Sequence, residues 1–203
     1  MQSGDPLARP WTLQRSWLQS REAAHWLAVL INQINWQQPV VQVYGRRHPV
    51  PRLTQFLSSE GVHYRYSGTL HHGDGWPDWF LPLLSDVNGA CGTKFNGCLL
   101  NFYRHGNDRM GWHADDEPEI DHSQPIASLS LGATRDFCLR GRQNTALRET
   151  LALADGDLLI MHPGCQDHWV HGVPTRRRIG TARVNLTFRC FLDRIPTKSQ
   201  RNR

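Results

Sequence analysis

Arg183-Val184-Asn185-Leu186-Thr187-Phe188-Arg189 is the stretch that decides the fold. Polar and apolar residues alternate through it without a break. Residues two apart in an extended chain point the same way, so this is a strand with Arg183, Asn185, Thr187 and Arg189 on one face. Val184, Leu186 and Phe188, continued by Cys190, occupy the other. Working outward, the same period of two recurs at Phe95–Arg104, Pro125–Gly132, Arg135–Gly141, Glu149–Ala154 and Asp157–His162, and the quoted strand itself runs over Arg183–Phe191. Six short strands punctuated by turns predict a sandwich or jelly roll.

Helical spacing is confined to the region upstream. Ser20 is placed to cap a helix with Glu22 in its first turn, and Ala23, Leu27, Leu30, Ile31 and Ile34 form its apolar stripe. A second helix is expected to begin near Pro77 and Asp78, bury Leu81, Leu84 and Val87, and stop at Asn88-Gly89. Val40–Val50 and His63–Gly68 read as short extended segments between the two. The class is therefore mainly β with flanking helices, an α+β arrangement.

With 203 residues and 39% hydrophobic content, the chain suits one well-packed domain and is too short for two independent enzymes. Basic residues outnumber acidic ones by 23 to 18, and from Pro174 to Arg203 nine basic residues face the single acid Asp193. That concentration suits a polyanionic partner. Lys198, Arg201 and Arg203 read as a solvated tail, whereas Arg176, Arg177 and Arg178 lie between segments that carry chemistry. The five cysteines are odd in number and form no C-x-x-C pair, which argues against a zinc knuckle or a complete disulfide framework and for a reducing compartment. Cys98 and Cys190 are expected in the core. Asp5, Arg9 and Arg15 interrupt the N-terminal segment, so it lacks the apolar run of a signal peptide. The expectation is a soluble, intracellular monomer with no membrane partner, cytoplasmic in a bacterium and nuclear in a eukaryote.

The sharpest local feature is Trp112-His113-Ala114-Asp115, because alternate residues of an extended chain can grip one ion. A third ligand from Trp169-Val170-His171-Gly172 completes two imidazoles and a carboxylate, the facial arrangement that leaves positions open on Fe(II). His168 competes with His171 for that position, and spacing alone does not choose between them. The polar face of Arg183 to Arg189 is either the wet side of a half-buried strand or a cage for a small dicarboxylate, since guanidinium pairs bidentately with carboxylate. Asn101 and Tyr103, on the strand before His113, are placed to add hydrogen bonds to the same cavity.

Taken in order, Asn101-Phe102-Tyr103, His113-Ala114-Asp115, Pro125 to Gly132, His171 and Arg183-x-Asn185-x-x-x-Arg189 resemble the AlkB family of Fe(II), 2-oxoglutarate-dependent dioxygenases. The likeness runs from about Val41 to Phe191. Val41 to Gly45, Val50-Pro51-Arg52 and Tyr64 to Gly68 resemble the duplex-acting DNA-repair homologues of mammals in particular. The resemblance implies a double-stranded β-helix, or jelly roll, core over 91–192, preceded by helices and a nucleotide-recognition lid over 1–90 and followed by a disordered basic tail over 193–203. It also implies iron on His113, Asp115 and His171, which selects His171 over His168. The distal carboxylate of 2-oxoglutarate would meet Arg183, Asn101 and Tyr103. Its metal-side carboxylate would be approached by Arg189, with Asn185 and Thr187 completing the pocket.

The reaction so implied consumes O2 and 2-oxoglutarate, releases succinate and CO2, and hydroxylates an N-alkyl group, whose hemiaminal collapses to an aldehyde and the restored base. The substrate would be alkylated DNA, single- or double-stranded, carrying N1-methyladenine or N3-methylcytosine, and the target base must leave its stack. By resemblance, Tyr66 and the ring of His113 sandwich that base, with Tyr64 and Ser67 beside it and Asp116 or Glu117 favouring a cationic methylated base. Tyr44 is the candidate wedge in the vacated stack. Arg46, Arg47, Arg52, Arg176, Arg177 and Arg178 are the expected phosphate contacts. Two alternatives stand: a demethylase of RNA or protein on the same fold, and a non-catalytic jelly roll that binds nucleic acid or metal.

Overall fold

The computed structural model describes residues 9–43, 45–66 and 69–192. Tyr44, Ser67 and the 193–203 tail lie outside the described residues, as does the side chain of Tyr66. In chain order the strands are β1 (Trp11–Gln14), β2 (Val40–Val43), β3 (Arg46–Pro49), β4 (Leu53–Ser58), β5 (His63–Tyr66), β6 (Thr69–His72) and β7 (Gly97–Tyr103). They continue as β8 (Met110–His113), β9 (Ile126–Gly132), β10 (Arg135–Gly141), β11 (Arg148–Leu153), β12 (Leu158–Met161), β13 (Trp169–Val173) and β14 (Arg183–Arg189). Helices α1 (Ser20–Gln33) and α2 (Leu81–Cys91) precede the main run of strands, and the single turn α3 (Cys165–His168) interrupts it.

The alternating segment becomes β14, in the interior of a six-stranded antiparallel sheet ordered β1-β12-β9-β14-β7-β4. A four-stranded antiparallel sheet, β11-β10-β13-β8, forms the second layer. This is the jelly roll. Every residue of β14 is buried, which removes the reading of its polar face as a wet surface. Val184, Leu186 and Phe188 join Leu129, Leu131, Ala23 and Leu30 in the apolar cluster beneath the helices. The opposite face of the large sheet contributes Tyr103, Leu159 and Met161, which pack with Phe137, Leu139 and Val173 of the small sheet. The polar residues of β14 therefore point between the layers.

Helix α1 buries Ala23, Trp26 and Leu30, and the stripe rather than the cap determines it, since Gln19 holds the N-cap position and no side chain bonds there. Ser20 is thus the first helical residue, not the cap. Helix α2 departs further from expectation. A 3-10 turn over Asp78–Phe80 precedes it, Leu81 is exposed while Leu83, Leu84 and Val87 are buried, and the chain runs through Gly89 to a left-handed Gly92 at φ 61°. Asn88 does not end the helix because its carbonyl accepts the Gly92 N–H and its side chain accepts the N–H of Phe95, which steers the chain into β7.

The strands β1 and β4 form the two edges of the large sheet, so the first ninety residues share a sheet with the rest, and a boundary near residue 90 runs through that sheet. Two hairpins, β2-β3 and β5-β6, form two-stranded sheets of their own, separate from the two larger ones. No helix among the described residues is long and apolar enough to cross a membrane.

Candidate active site

Strand β8 is an edge strand, and β13 pairs with it so that His113 and His171 lie directly opposite each other. A bulge follows between His171 and Val173. Gly172 makes the approach possible: a Cβ there would sit 3.1 Å from the carbonyl oxygens of both Met110 and Gly111. The two imidazole centroids are 4.3 Å apart, and Phe137 stacks on His171 at 4.9 Å. Asp115, just beyond β8, turns its carboxylate to both rings, with Oδ1 3.8 Å from His113 Nε2 and Oδ2 3.9 Å from His171 Nε2. The ligand atoms of His113, Asp115 and His171 all lie within 4.8 Å of one another, a group that can hold a metal ion. His168 is exposed at the end of α3 and takes no part. The competition between the histidines is settled by the helical turn, which breaks the strand before His171.

The protonation states suit a cation. Burial, reinforced by His113, pushes His171 down to about 3, and burial likewise lowers His113, so both rings are neutral at pH 7. His113 Nδ1 donates to the Gly111 carbonyl at 2.9 Å, which leaves the Nε2 lone pair facing Asp115. Burial opposes ionisation of Asp115, but Arg189 and the two imidazoles outweigh it and hold the carboxyl at about 2. Arg189 is itself buried, and its Nη2 donates to Asp115 Oδ1 at 2.7 Å. Gln166, which the motifs do not single out, accepts the Asp115 N–H at 3.0 Å and fixes the ligand loop.

All nine residues expected to hold metal or 2-oxoglutarate line one cavity between the sheets: His113, Asp115, His171, Asn101, Tyr103, Arg183, Asn185, Thr187 and Arg189. Asn185 Oδ1 accepts from Arg183 Nη2 at 2.7 Å and from Ser128 Oγ at 3.0 Å, while Asn185 Nδ2 donates to Thr187 Oγ1 at 3.0 Å. Arg183 also donates to Ser130 Oγ at 2.7 Å, and its guanidinium lies 5.3 Å from the Tyr103 ring centroid. Burial pulls Arg183 down to about 10, with the Tyr103 phenol acting against that. Ser128 and Ser130 recur at every second residue of β9, so their period was a readable signal for two more members of the cage.

Several buried polar atoms here lack a hydrogen-bond partner: Asp115 Oδ2, Arg183 Nε and Nη1, and Arg189 Nε and Nη1. Buried polar groups are seldom left unpaired, and a cluster of unpaired ones around one cavity is accounted for by an ion or ligand that binds there. An acceptor beside two neutral imidazoles fits a divalent cation. Two sets of guanidinium donors fit carboxylates. The donor set therefore suits Fe(II) and 2-oxoglutarate.

The expected nucleic-acid residues divide. Arg52 is 5% exposed, its Nε donates to Asn101 Oδ1 at 2.7 Å, and it also borders the open cleft at His113, so it ties that cleft to the cavity wall. Tyr64 is buried among Phe56 and Phe191, with its hydroxyl donating to Glu117 Oε1 at 2.9 Å. Burial raises the pKa of Glu117, with Arg189 opposing it. Asp116 is paired with Arg142 at 2.9 Å and Arg176 with Asp136 at 2.6 Å, partners that the motifs do not reveal. Arg46, Arg47, Arg177 and Arg178 are exposed. An open cleft of about 610 Å3, bordered by His48, Pro49, Pro51, Arg109 and Trp112, leads to His113.

Residues 11–189 match the family described as the 2OG-Fe(II) oxygenase superfamily. The chain is 39% identical over 165 residues to the mouse DNA oxidative demethylase ALKBH2, a match covering 78% of this chain and 68% of that protein. Identity to the human ALKBH2 is 38% over 159 residues, covering 75% and 61%. The human alpha-ketoglutarate-dependent dioxygenase alkB homolog 3 is 34% identical over 178 residues, covering 83% and 62%. A solved structure of OsALKBH1 superposes with a TM-score of 0.64 at 19% identity, covering 91% of this chain and all of the other, which supports the fold. Family match, identities and ligand geometry agree: the chain belongs to the AlkB family of 2OG-Fe(II) oxygenases.

Proposed function

We propose that this chain is a DNA-repair dioxygenase that oxidatively removes alkyl groups from bases such as N1-methyladenine and N3-methylcytosine. The observation that carries the reading is one cavity in which a His113-Asp115-His171 group faces the unpaired donors of Arg183 and Arg189. The DNA substrate is supported by identity to proteins named as DNA oxidative demethylases.

His113, Asp115 and His171 would hold Fe(II), and Arg183 and Arg189 the two ends of 2-oxoglutarate. When bound, iron, 2-oxoglutarate and O2 supply the oxidation of the N-alkyl carbon, with succinate and CO2 as by-products. The chain's own residues do the rest. Arg189 keeps Asp115 ionised, burial keeps His171 neutral, and the Gly111 carbonyl fixes the His113 tautomer. Arg52 orients the Asn101 amide. A methyl group on a pairing nitrogen is hidden in a duplex, so the base must swing into the cleft beside His113, at a cost that weakened pairing lowers. The ring of His113 would form one wall of its slot, and Glu117 stands by to favour a cationic base.

The test is formaldehyde release from N1-methyladenine and N3-methylcytosine oligonucleotides, as DNA and as RNA, with Fe(II) and 2-oxoglutarate. Stoichiometric formaldehyde and succinate from the DNA support the reading. Release from RNA alone would replace DNA as the substrate, and succinate without formaldehyde from any oligonucleotide would remove nucleic acid from the account.

A further inference from the structure

We propose that Trp112 is a stacking platform for a base flanking the reacting nucleotide, so that the strand crosses the open edge of the small sheet on its way past the site. This rests on the reading of the chain as a nucleic-acid enzyme. Trp112 is 47% exposed, an unusual placement for the largest apolar side chain, and directly precedes the metal-binding His113 on β8. Among the described residues β8 is the edge of the small sheet and pairs only with β13.

Three further observations bear on what the ring is for. The Arg140 guanidinium lies 4.5 Å from its centroid, so one face is covered by a cation that fixes the ring plane and the rest stays available. The Nε of Arg140 is buried with no hydrogen-bond partner, so the indole face is a contact that this part of the side chain does have. Trp112 also borders both the cleft that opens at His113 and an apolar groove of about 290 Å3 on the far side of β8, bounded by Cys138, Val173 and Pro174. The tryptophan is thus the ridge between two depressions. A strand whose reacting base enters the first has its neighbouring base over the ridge.

Charge and shape select a nucleic-acid strand as the occupant. Arg109 is exposed and borders both depressions, and Arg140 stands beneath the ring. Asp108 and Asp116, which flank β8, and Asp136 on β10 are neutralised by Arg104, Arg142 and Arg176. Gly111, next to Trp112, has open space where a side chain would stand, so a sugar-phosphate backbone meets bare main chain there. Aromatic stacking tolerates any base, which suits an enzyme that must act in many sequence contexts.

The test uses the full chain and single-stranded oligonucleotides in which an abasic site is moved along the strand relative to one fixed N1-methyladenine, with affinity read by fluorescence anisotropy. In the parental protein an abasic site at one flanking position should weaken binding about 5- to 100-fold, and at more distant positions hardly at all. Trp112→Ala should lose that position dependence, whereas Trp112→Phe, which keeps a ring, should retain most of it. A position-dependent penalty that survives Trp112→Ala, or no position dependence in the parental protein, overturns the proposal while leaving the enzymatic reading intact. Absence of binding to every oligonucleotide overturns both.

Discussion

Replacing Arg189 by methionine should destabilise the metal-free protein severely and the metal-loaded protein much less. The side chains of Arg189 and Asp115 are 2% and 4% exposed and lie 2.7 Å apart, so the ion pair is sealed from water. Removing the cation leaves a buried carboxylate beside two neutral imidazoles, and breaking one partner out of a buried pair costs about 3–5 kcal/mol. For a domain of this size about 2–4 °C of Tm is lost per kcal/mol, which gives a fall of about 6–20 °C. A divalent ion bound to Asp115 restores the missing positive charge. Differential scanning calorimetry of Arg189→Met with and without Mn(II) should show the larger deficit in the apo protein. Asp115→Asn combined with Arg189→Met should lose less than the two single changes added together. An apo Tm within about 2 °C of the parent, with additive single and double changes, would refute the reasoning that Arg189 exists to compensate Asp115.

Gly172→Ala places a methyl group 3.1 Å from two β8 carbonyl oxygens, so β8 must move away from β13 and separate His113 from His171. Mn(II) affinity, read by electron paramagnetic resonance, should fall about 10- to 100-fold, and an unchanged affinity would mean that the close approach is not needed. Stability should also depend on pH through the buried histidines. His171 sits at about 3 when folded and near 6.5 when unfolded, so the unfolded chain takes up the proton first. The stabilisation is complete above pH 6.5 and is lost as pH falls toward 3, at up to about 1.4 kcal/mol per pH unit. Asp115, held at about 2, contributes its own loss only below about pH 4. Urea midpoints at pH 7.5, 6 and 5 should therefore drop steadily in the apo protein and more shallowly in His171→Gln, and a flat profile would contradict a neutral buried His171.

The catalytic half of the molecule was legible because its chemistry and its packing share one period. On β14 the residues that bind and the residues that pack alternate, and β10 was bounded to the residue at Arg135–Gly141. Strand β4 was not read, since Leu-Thr-Gln-Phe-Leu-Ser does not alternate in polarity although its burial does, with Thr54 and Ser58 taken inside by the sheet. Strand β8 is short and exposed, so only its histidine announced it. The ligands His113, Asp115 and His171 carried a chemical pattern, but the groups that tune them did not. Gln166, Gly172 and Phe137 act through tertiary placement, and nothing in their local spacing points to a metal. Arg52 and Tyr64 were assigned to nucleic acid by motif, and both are buried, Arg52 bonded to Asn101 and Tyr64 to Glu117. An arginine near a cleft can serve as a phosphate contact or as a wall, and sequence, which carries no burial, does not separate the two.

The central claim is that His113, Asp115 and His171 with the Arg183 to Arg189 face form one site for Fe(II) and 2-oxoglutarate. An anaerobic titration with both, followed by the visible charge-transfer absorption and by equilibrium dialysis, tests it most directly. One equivalent of each should bind to the parental chain, Arg183→Met should keep the metal while losing 2-oxoglutarate, and His171→Ala should lose the absorption altogether. Undiminished absorption in His171→Ala, or 2-oxoglutarate bound equally well by Arg183→Met, would contradict the account.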